Sequence, residues 1–126
     1  MSPEDARDAR RAALQRGAEA EGVVARELEA QGYAILARNW RGKGGELDVI
    51  AVREGRVRFV EVKARDAAED GFEAVNESKR RRLIRAAEAW LVENPPLVEA
   101  CFLVAVVTLG LSVPSIEWLD DAFDGS

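Results

Sequence analysis

Three charged residues interrupt two strongly apolar stretches: Asp48 within GELDVIAV, and Glu61 and Lys63 within VRFVEVKA. Two carboxylates and an amine can together hold a divalent cation, orient a water and offset negative charge developing on a phosphate. Both stretches read as strands, and Glu54-Gly55 between them suits a two-residue hairpin turn. With that turn Arg53 opposes Arg56. Asp48 then falls opposite Glu61, Glu46 opposite Lys63, Ile50 opposite Phe59 and Val52 opposite Val57, all on one face, because strand side chains alternate. The other face reads Leu47, Val49, Val60 and Val62. Like charges directly opposed in a sheet are destabilising, so Asp48 and Glu61 require a reason to be there. A divalent cation supplies one by turning repulsion into chelation. Lys63, two residues beyond Glu61 and on its face, then positions a water, deprotonates it, or supports the transition state; the spacing does not choose among these. For Glu46 with Lys63, a salt bridge at the sheet rim is the competing structural reading.

A further acid is placed by helical spacing. Glu21 precedes Val24, Ala25 and Leu28 by three, four and seven residues, on or beside an inward stripe, where it could supply another ligand to a metal or its water. A charged stripe edge would look the same. Ser78-Lys-Arg-Arg-Arg82 opens a helix, where cations oppose the dipole, so Lys79 and Arg82 are candidate phosphate contacts. Arg38, Arg41 and Lys43 are expected to extend that face. For each arginine alone, a solvated basic turn is the plain alternative.

Composition narrows the chemistry. The chain has no histidine, which removes Ser/His and Cys/His triads and imidazole metal sites. Carboxylates alone are hard ligands and favour magnesium or manganese over zinc. The single cysteine, Cys101, lies in an apolar run and reads as packing; with no disulfide framework, a cytoplasmic location is expected. Neither a leader-like apolar segment nor a run near the ~20 residues of a membrane span is present, so secretion and insertion are not expected. The net charge of -5 argues against nucleic acid only until its distribution is considered. Residues 38–85 carry 13 basic groups against 9 acidic ones, while residues 86–126 carry no basic group and seven acids. A basic middle between acidic ends is compatible with a local phosphate-binding face.

These side chains need a scaffold, and 126 residues fit a single domain. Ser2 caps a helix that begins at Pro3 and ends at Gly32, with a break or bend expected near Gly17 or Gly22; residues 1–16 form an arm and 17–123 the core. Tyr33–Trp40 reads as a strand and Arg41–Gly45 as a flexible basic loop. After the hairpin, Asp66–Val75 reads as a loop. Asn76 caps a second helix with Leu83, Ile84, Ala87, Trp90 and Leu91 at helical spacing, stopped by Asn94-Pro-Pro96. Ala100–Leu109 is apolar enough for a strand buried on both faces, and Ser115–Leu119 reads as a last edge strand before an acidic tail. The expectation is an α/β fold, a mixed sheet flanked by helices in the order αβββαββ.

Taken together, Gly17-x-x-x-Glu21, Gly32-Tyr33, Asn39-x-Arg41, GELDVI ending at Ile50, FVEVKAR ending at Arg65, Lys79 and the closing Ala122-Phe123 resemble the YraN-like family of small bacterial proteins. That family is similar to the PD-(D/E)xK nuclease superfamily, which includes archaeal Holliday junction resolvases and type II restriction enzymes. The resemblance implies a restriction-endonuclease-like core. It implies Asp48, Glu61, Val62 and Glu21 as the metal set, with Mg2+ or Mn2+ as cofactor, and Lys63 as the catalytic lysine beside an accessory Glu46. It also implies Arg65 among the DNA-contacting residues, and a homodimer. Family members often carry Arg-Phe-Asp where this chain has Cys101-Phe102-Leu103, so any role of that charge pair is missing here.

The leading expectation is a DNA endonuclease of repair or recombination acting on branched or single-stranded DNA. A non-catalytic nucleic-acid-binding module with the same fold is the alternative. An interaction scaffold using the acidic carboxy-terminal part is the third.

Overall fold

In the computed structural model, which describes residues 2–67 and 77–120, the chain opens on a capped helix. Ser2 Oγ accepts from the Asp5 amide at 3.1 Å and Asp5 Oδ2 accepts from the Ser2 amide at 3.3 Å, a reciprocal capping box with Pro3 at the first helical position. Helix α1 runs Pro3–Ala30 as one element of 28 residues. The break expected at Gly17 or Gly22 does not occur. Glycine costs a helix backbone entropy of about 1 kcal/mol but removes no hydrogen bond, and the buried anchors Ala20, Val24, Ala25 and Leu28 hold the second half against the sheet. The helix ends where Gly32 takes φ +93° and the Tyr33 amide donates back to Leu28 O.

Five strands and a second helix follow: β1 Ala34–Gly42, β2 Gly45–Arg53, β3 Arg56–Asp66, α2 Glu77–Glu93, β4 Glu99–Leu109 and β5 Ser115–Asp120. The expected order αβββαββ is observed. Strands β1 to β5 lie side by side in sequence order, with β3 and β4 parallel and every other neighbouring pair antiparallel. Only the parallel pair needs a crossover, and α2 provides it. Asn76, most of the expected loop before it, and Ala122-Phe123 lie outside the described residues.

The segment Arg41–Gly45 is not a flexible loop. Gly42 pairs with Gly45, and Lys43 and Gly44 form a two-residue turn with φ of +53° and +79°. Glu54 and Gly55 repeat that device at the next hairpin, with φ of +53° and +77°. Both central residues left-handed is the requirement of a type I′ turn, which matches strand twist.

The sheet is packed on both sides. Leu83, Ala86, Ala87 and Trp90 of α2 cover Leu47, Ile50, Val57, Phe59, Val104 and Val106, with Trp90 set edge-on to Phe59 at 5.7 Å between ring centroids. Ala20, Val24 and Leu28 of α1 cover Val49, Ala51, Val60, Ala105, Val107 and Leu109 on the other face. No helix among the described residues is long and apolar enough to cross a membrane.

One contact sets how closely α2 approaches the hairpin. A Cβ on Gly45 would collide with the backbone carbonyl of Arg82 and press on Ala86 Cβ at 3.2 Å. Backbone cannot step aside as a side-chain tip can. Gly45→Ala is therefore expected to destabilise the fold by about 1–3 kcal/mol, read as a lower urea midpoint with an unchanged denaturant slope.

Candidate functional site

Strand β2 does not alternate regularly through Asp48. Leu47 packs with the α2-side cluster and Val49 with the α1-side cluster, although residues two apart on a regular strand share a face. The expectation that Leu47 shares a face with Val49, Val60 and Val62 is thus corrected. Strand β1 shows the same irregularity, since Ala37 and Trp40, three apart, both pack toward α2. Between the paired positions Arg38–Val49 and Trp40–Leu47 lies Asn39, with φ +54°. Asparagine tolerates this left-handed conformation better than most residues.

The β2–β3 register runs from Arg53–Arg56 to Val49–Val60, in agreement with the turn at Glu54-Gly55. The next positions would be Asp48 and Glu61. There Asp48 uses its side chain in place of the ladder, with Oδ2 accepting from the Val62 amide at 2.8 Å. Val62, expected in the metal set, therefore contributes its N–H to the orientation of Asp48. Strand β3 meanwhile stays paired to β4 from Arg56 to Asp66, so Glu61, only 5% exposed, is held from the other side. The carboxyls of Asp48 and Glu61 come within hydrogen-bonding reach of each other.

Two amines close around that pair. Lys79 Nζ stands 2.5 Å and Lys63 Nζ 3.8 Å from Glu61 Oε1. Burial, then the Glu61 charge, raises the Asp48 carboxyl to about 8, outweighing the Val62 amide that favours its ionised form. Burial lowers Lys63, and the neighbouring Lys79 lowers it further. Burial also works to lower Lys79, but its hydrogen bond to Glu61 prevails and the net direction is upward.

The expected site residues separate into groups. Asp48 and Glu61 face a cleft of about 630 Å³, whose walls include Arg41, Gly44, Lys79 and Arg82. That volume lies in the range of small-ligand sites. Glu46 lines the cleft too, but its partner is Arg41 at 3.5 Å, so the expected Glu46–Lys63 pairing is not formed. The twist at Asp48 ends the register before those two positions meet. Arg38 does not extend the Lys79 face; it reaches Ala18 O at 3.4 Å and Glu21 Oε1 at 3.8 Å on the α1 side. Lys43 is exposed in the β1–β2 turn. Arg65 lies further along β3 with its Nε buried and without an acceptor among the described residues. Glu21 Oε1 accepts from Asn39 Nδ2 at 3.1 Å, and its charge is among those that raise Asp48. Asn39, singled out in the sequence only as part of the Asn39-x-Arg41 motif, thus lies opposite Asp48 and holds the Glu21 carboxylate beside it.

No three carboxylate, thiol or imidazole side chains converge on one ion position among the described residues. Glu21 stays a neighbour of Asp48. Two hard carboxylates in contact at the edge of an open cleft nevertheless fit magnesium, which keeps several waters and commonly takes only one or two protein carboxylates. Their enforced proximity, costly when both are ionised, is the observation that favours the fit.

A family model described as uncharacterised protein family UPF0102 matches residues 20–108. The chain is 44% identical to a UPF0102 protein of Synechococcus sp. strain JA-3-3Ab over 126 residues, covering 91% of this chain and 96% of that one. It is 47% identical over 87 residues to a UPF0102 protein of Rhodopseudomonas palustris, covering 69% of this chain and 67% of the relative. Against a UPF0102 protein of Methylocella silvestris the identity is 46% over 88 residues, covering 70% and 71%.

The raised Asp48 pKa ties stability to pH. An aspartate ionises near 3.8 when unfolded and near 8 in the fold, so between those values the folded state binds the extra proton and stability falls as pH rises. In EDTA, the wild type should lose about 2 kcal/mol or more between pH 4 and pH 8 relative to Asp48→Asn, since each tenfold difference in proton affinity between folded and unfolded chain is worth about 1.4 kcal/mol. Parallel pH profiles of urea-unfolding free energy for the two proteins would disprove this. Added magnesium, which favours the ionised pair, should flatten the wild-type decline.

Proposed function

Because this chain belongs to the UPF0102 (YraN-like) family, and because its hairpin brings two carboxyls to a basic-walled cleft with Lys63 beside Glu61, we propose that it is a metal-dependent endonuclease acting on DNA. The contact between Asp48 and Glu61 with Lys63 alongside carries this reading. Asp48 and Glu61 would hold Mg2+ or Mn2+, which when bound supplies Lewis acidity to a phosphoryl oxygen and lowers the pKa of a water.

The chain's own groups divide the remaining work. Lys63, whose proton is loosened by burial and by Lys79, suits acceptance of a proton from the attacking water. Lys79 keeps its charge and faces the same cleft, where an ammonium offsets charge building on the phosphate. Arg41 and Arg82 on the walls suit flanking phosphates, contacts that position a strand without reading its sequence. Asn39 and the Val62 amide orient Glu21 and Asp48.

One observation favours a second reading. Glu61 already has two cationic partners, and no third acid joins the pair among the described residues, as would suit a nucleic-acid-binding module that retains the fold without catalysis.

Branched, flapped, single-stranded and duplex DNA incubated with the protein and magnesium or manganese separates the two. Cleavage is expected on at least one substrate, lost by about a hundredfold or more in Glu61→Gln and in Lys63→Ala. Cleavage that survives both substitutions defeats the assignment. Salt-sensitive binding without cleavage selects the binding module.

A further inference from the structure

Lys79 pairs with Glu61 from the wall of the cleft that both carboxyls line. It reaches Glu61 from a different element than Lys63: β3 carries Lys63 two residues from Glu61, whereas Lys79 descends from the first turn of α2. Both amines converge on the same oxygen, Oε1, and Lys79 is the closer. Glu61 is buried at the cleft floor, and Lys79, with 36% of its side chain exposed, lies on the open side. An ammonium at 2.5 Å from Oε1 and a divalent ion on that oxygen repel each other at close range and compete for its lone pairs.

We propose that Lys79 is a tethered cation that occupies the open side of Glu61 while no ion is bound, yields that side to a divalent ion, and is thereby delivered to the phosphate entering the cleft. This deepens the nuclease reading and rests on it. The residue type suits the role, since lysine carries a compact charge on a flexible four-carbon stem and can swing without moving α2. α2 itself is fixed by its contact at Gly45, so the stem pivots from a defined point. The four groups Asp48, Glu61, Lys63 and Lys79 form one mutually compensating cluster. When the ion takes over Glu61, the displaced ammonium becomes available to the substrate, so ion and DNA reinforce each other's binding. Linkage makes that reinforcement reciprocal.

The test is Mn2+ affinity in the absence of DNA, read from the electron paramagnetic resonance signal of free Mn2+. Wild type is compared with Lys79→Ala, with Lys79→Met, which keeps the aliphatic stem, and with Arg82→Ala, which removes one charge from the same cleft wall. Lys79→Ala and Lys79→Met are expected to bind Mn2+ about tenfold more tightly than wild type, as befits removal of one half-buried competing charge, and Arg82→Ala less than about threefold more tightly. If either Lys79 variant binds no more tightly than wild type, or no more tightly than Arg82→Ala, the competition does not exist and the proposal is overturned. Loss of binding in Glu61→Gln, with wild type binding normally, leaves the ion site standing whichever way the Lys79 comparison falls. Absence of Mn2+ binding in wild type and in both Lys79 variants overturns the ion site itself, and this proposal with it.

Discussion

Two carboxyl groups do not rest against each other in a half-buried place unless the surrounding structure compels them, and the rest of this chain can be understood as the compulsion. Glu61 is held in a strand paired to β4 along its whole length, so it cannot move away. Asp48 is drawn toward it by the Val62 amide, a hydrogen bond that exists because the β2–β3 register stops one position earlier. The opposing tendency is visible in Asp48, whose proton is held up to about 8 by burial and by the Glu61 charge. Folding energy from two apolar sheet faces sustains an arrangement that local electrostatics resists.

Much of this was legible in the sequence because it follows from local rules. Alternation and the Glu54-Gly55 turn define a register that holds from Arg53–Arg56 to Val49–Val60. The helical spacing of Leu83, Ala87 and Trp90 identifies the inner face of α2, and Val24, Ala25 and Leu28 do the same for α1. Where local rules are broken, they mislead. The register extended by rote to Glu46 and Lys63 fails because β2 turns over near Asp48, and Leu47 changes face with it. Gly17 and Gly22 look like breaks only if propensity is weighed without the packing that anchors the residues around them. Lys43-Gly44 reads as loose chain because a lysine at φ +53° is not an expected turn residue, yet the pairing of Gly42 with Gly45 leaves it no other conformation.

Part of the site was not legible at all, for a physical reason. Asn39 and Glu21 are eighteen positions apart, and their contact depends on a left-handed residue in β1 at the level of Asp48. The convergence of Lys79 on Glu61 depends on how closely α2 approaches β2, a tertiary distance set by the missing side chain of Gly45. Sequence spacing gives the face on which a residue lies. It does not give the distance between two elements packed on that face.

The two lysines illustrate how environment substitutes for residue type in a chain without histidine. Their intrinsic chemistry is identical, and both contact the same carboxylate oxygen. Lys79 is driven up because its contact with Glu61 outweighs burial; Lys63 is driven down by burial first and then by its neighbour Lys79. Splitting a like pair in this way assigns opposite proton roles to groups that would otherwise compete for one role. Under the nuclease reading, the loosened proton belongs to the lysine fixed on the rigid central strand, where the geometry of attack must hold to within a fraction of an ångström. The retained charge belongs to the lysine on the open wall of the cleft, where reach matters more than precision. Placement on strand and on helix thus corresponds to what each task requires, and the split depends on the same buried Glu61 that holds Asp48's proton in place.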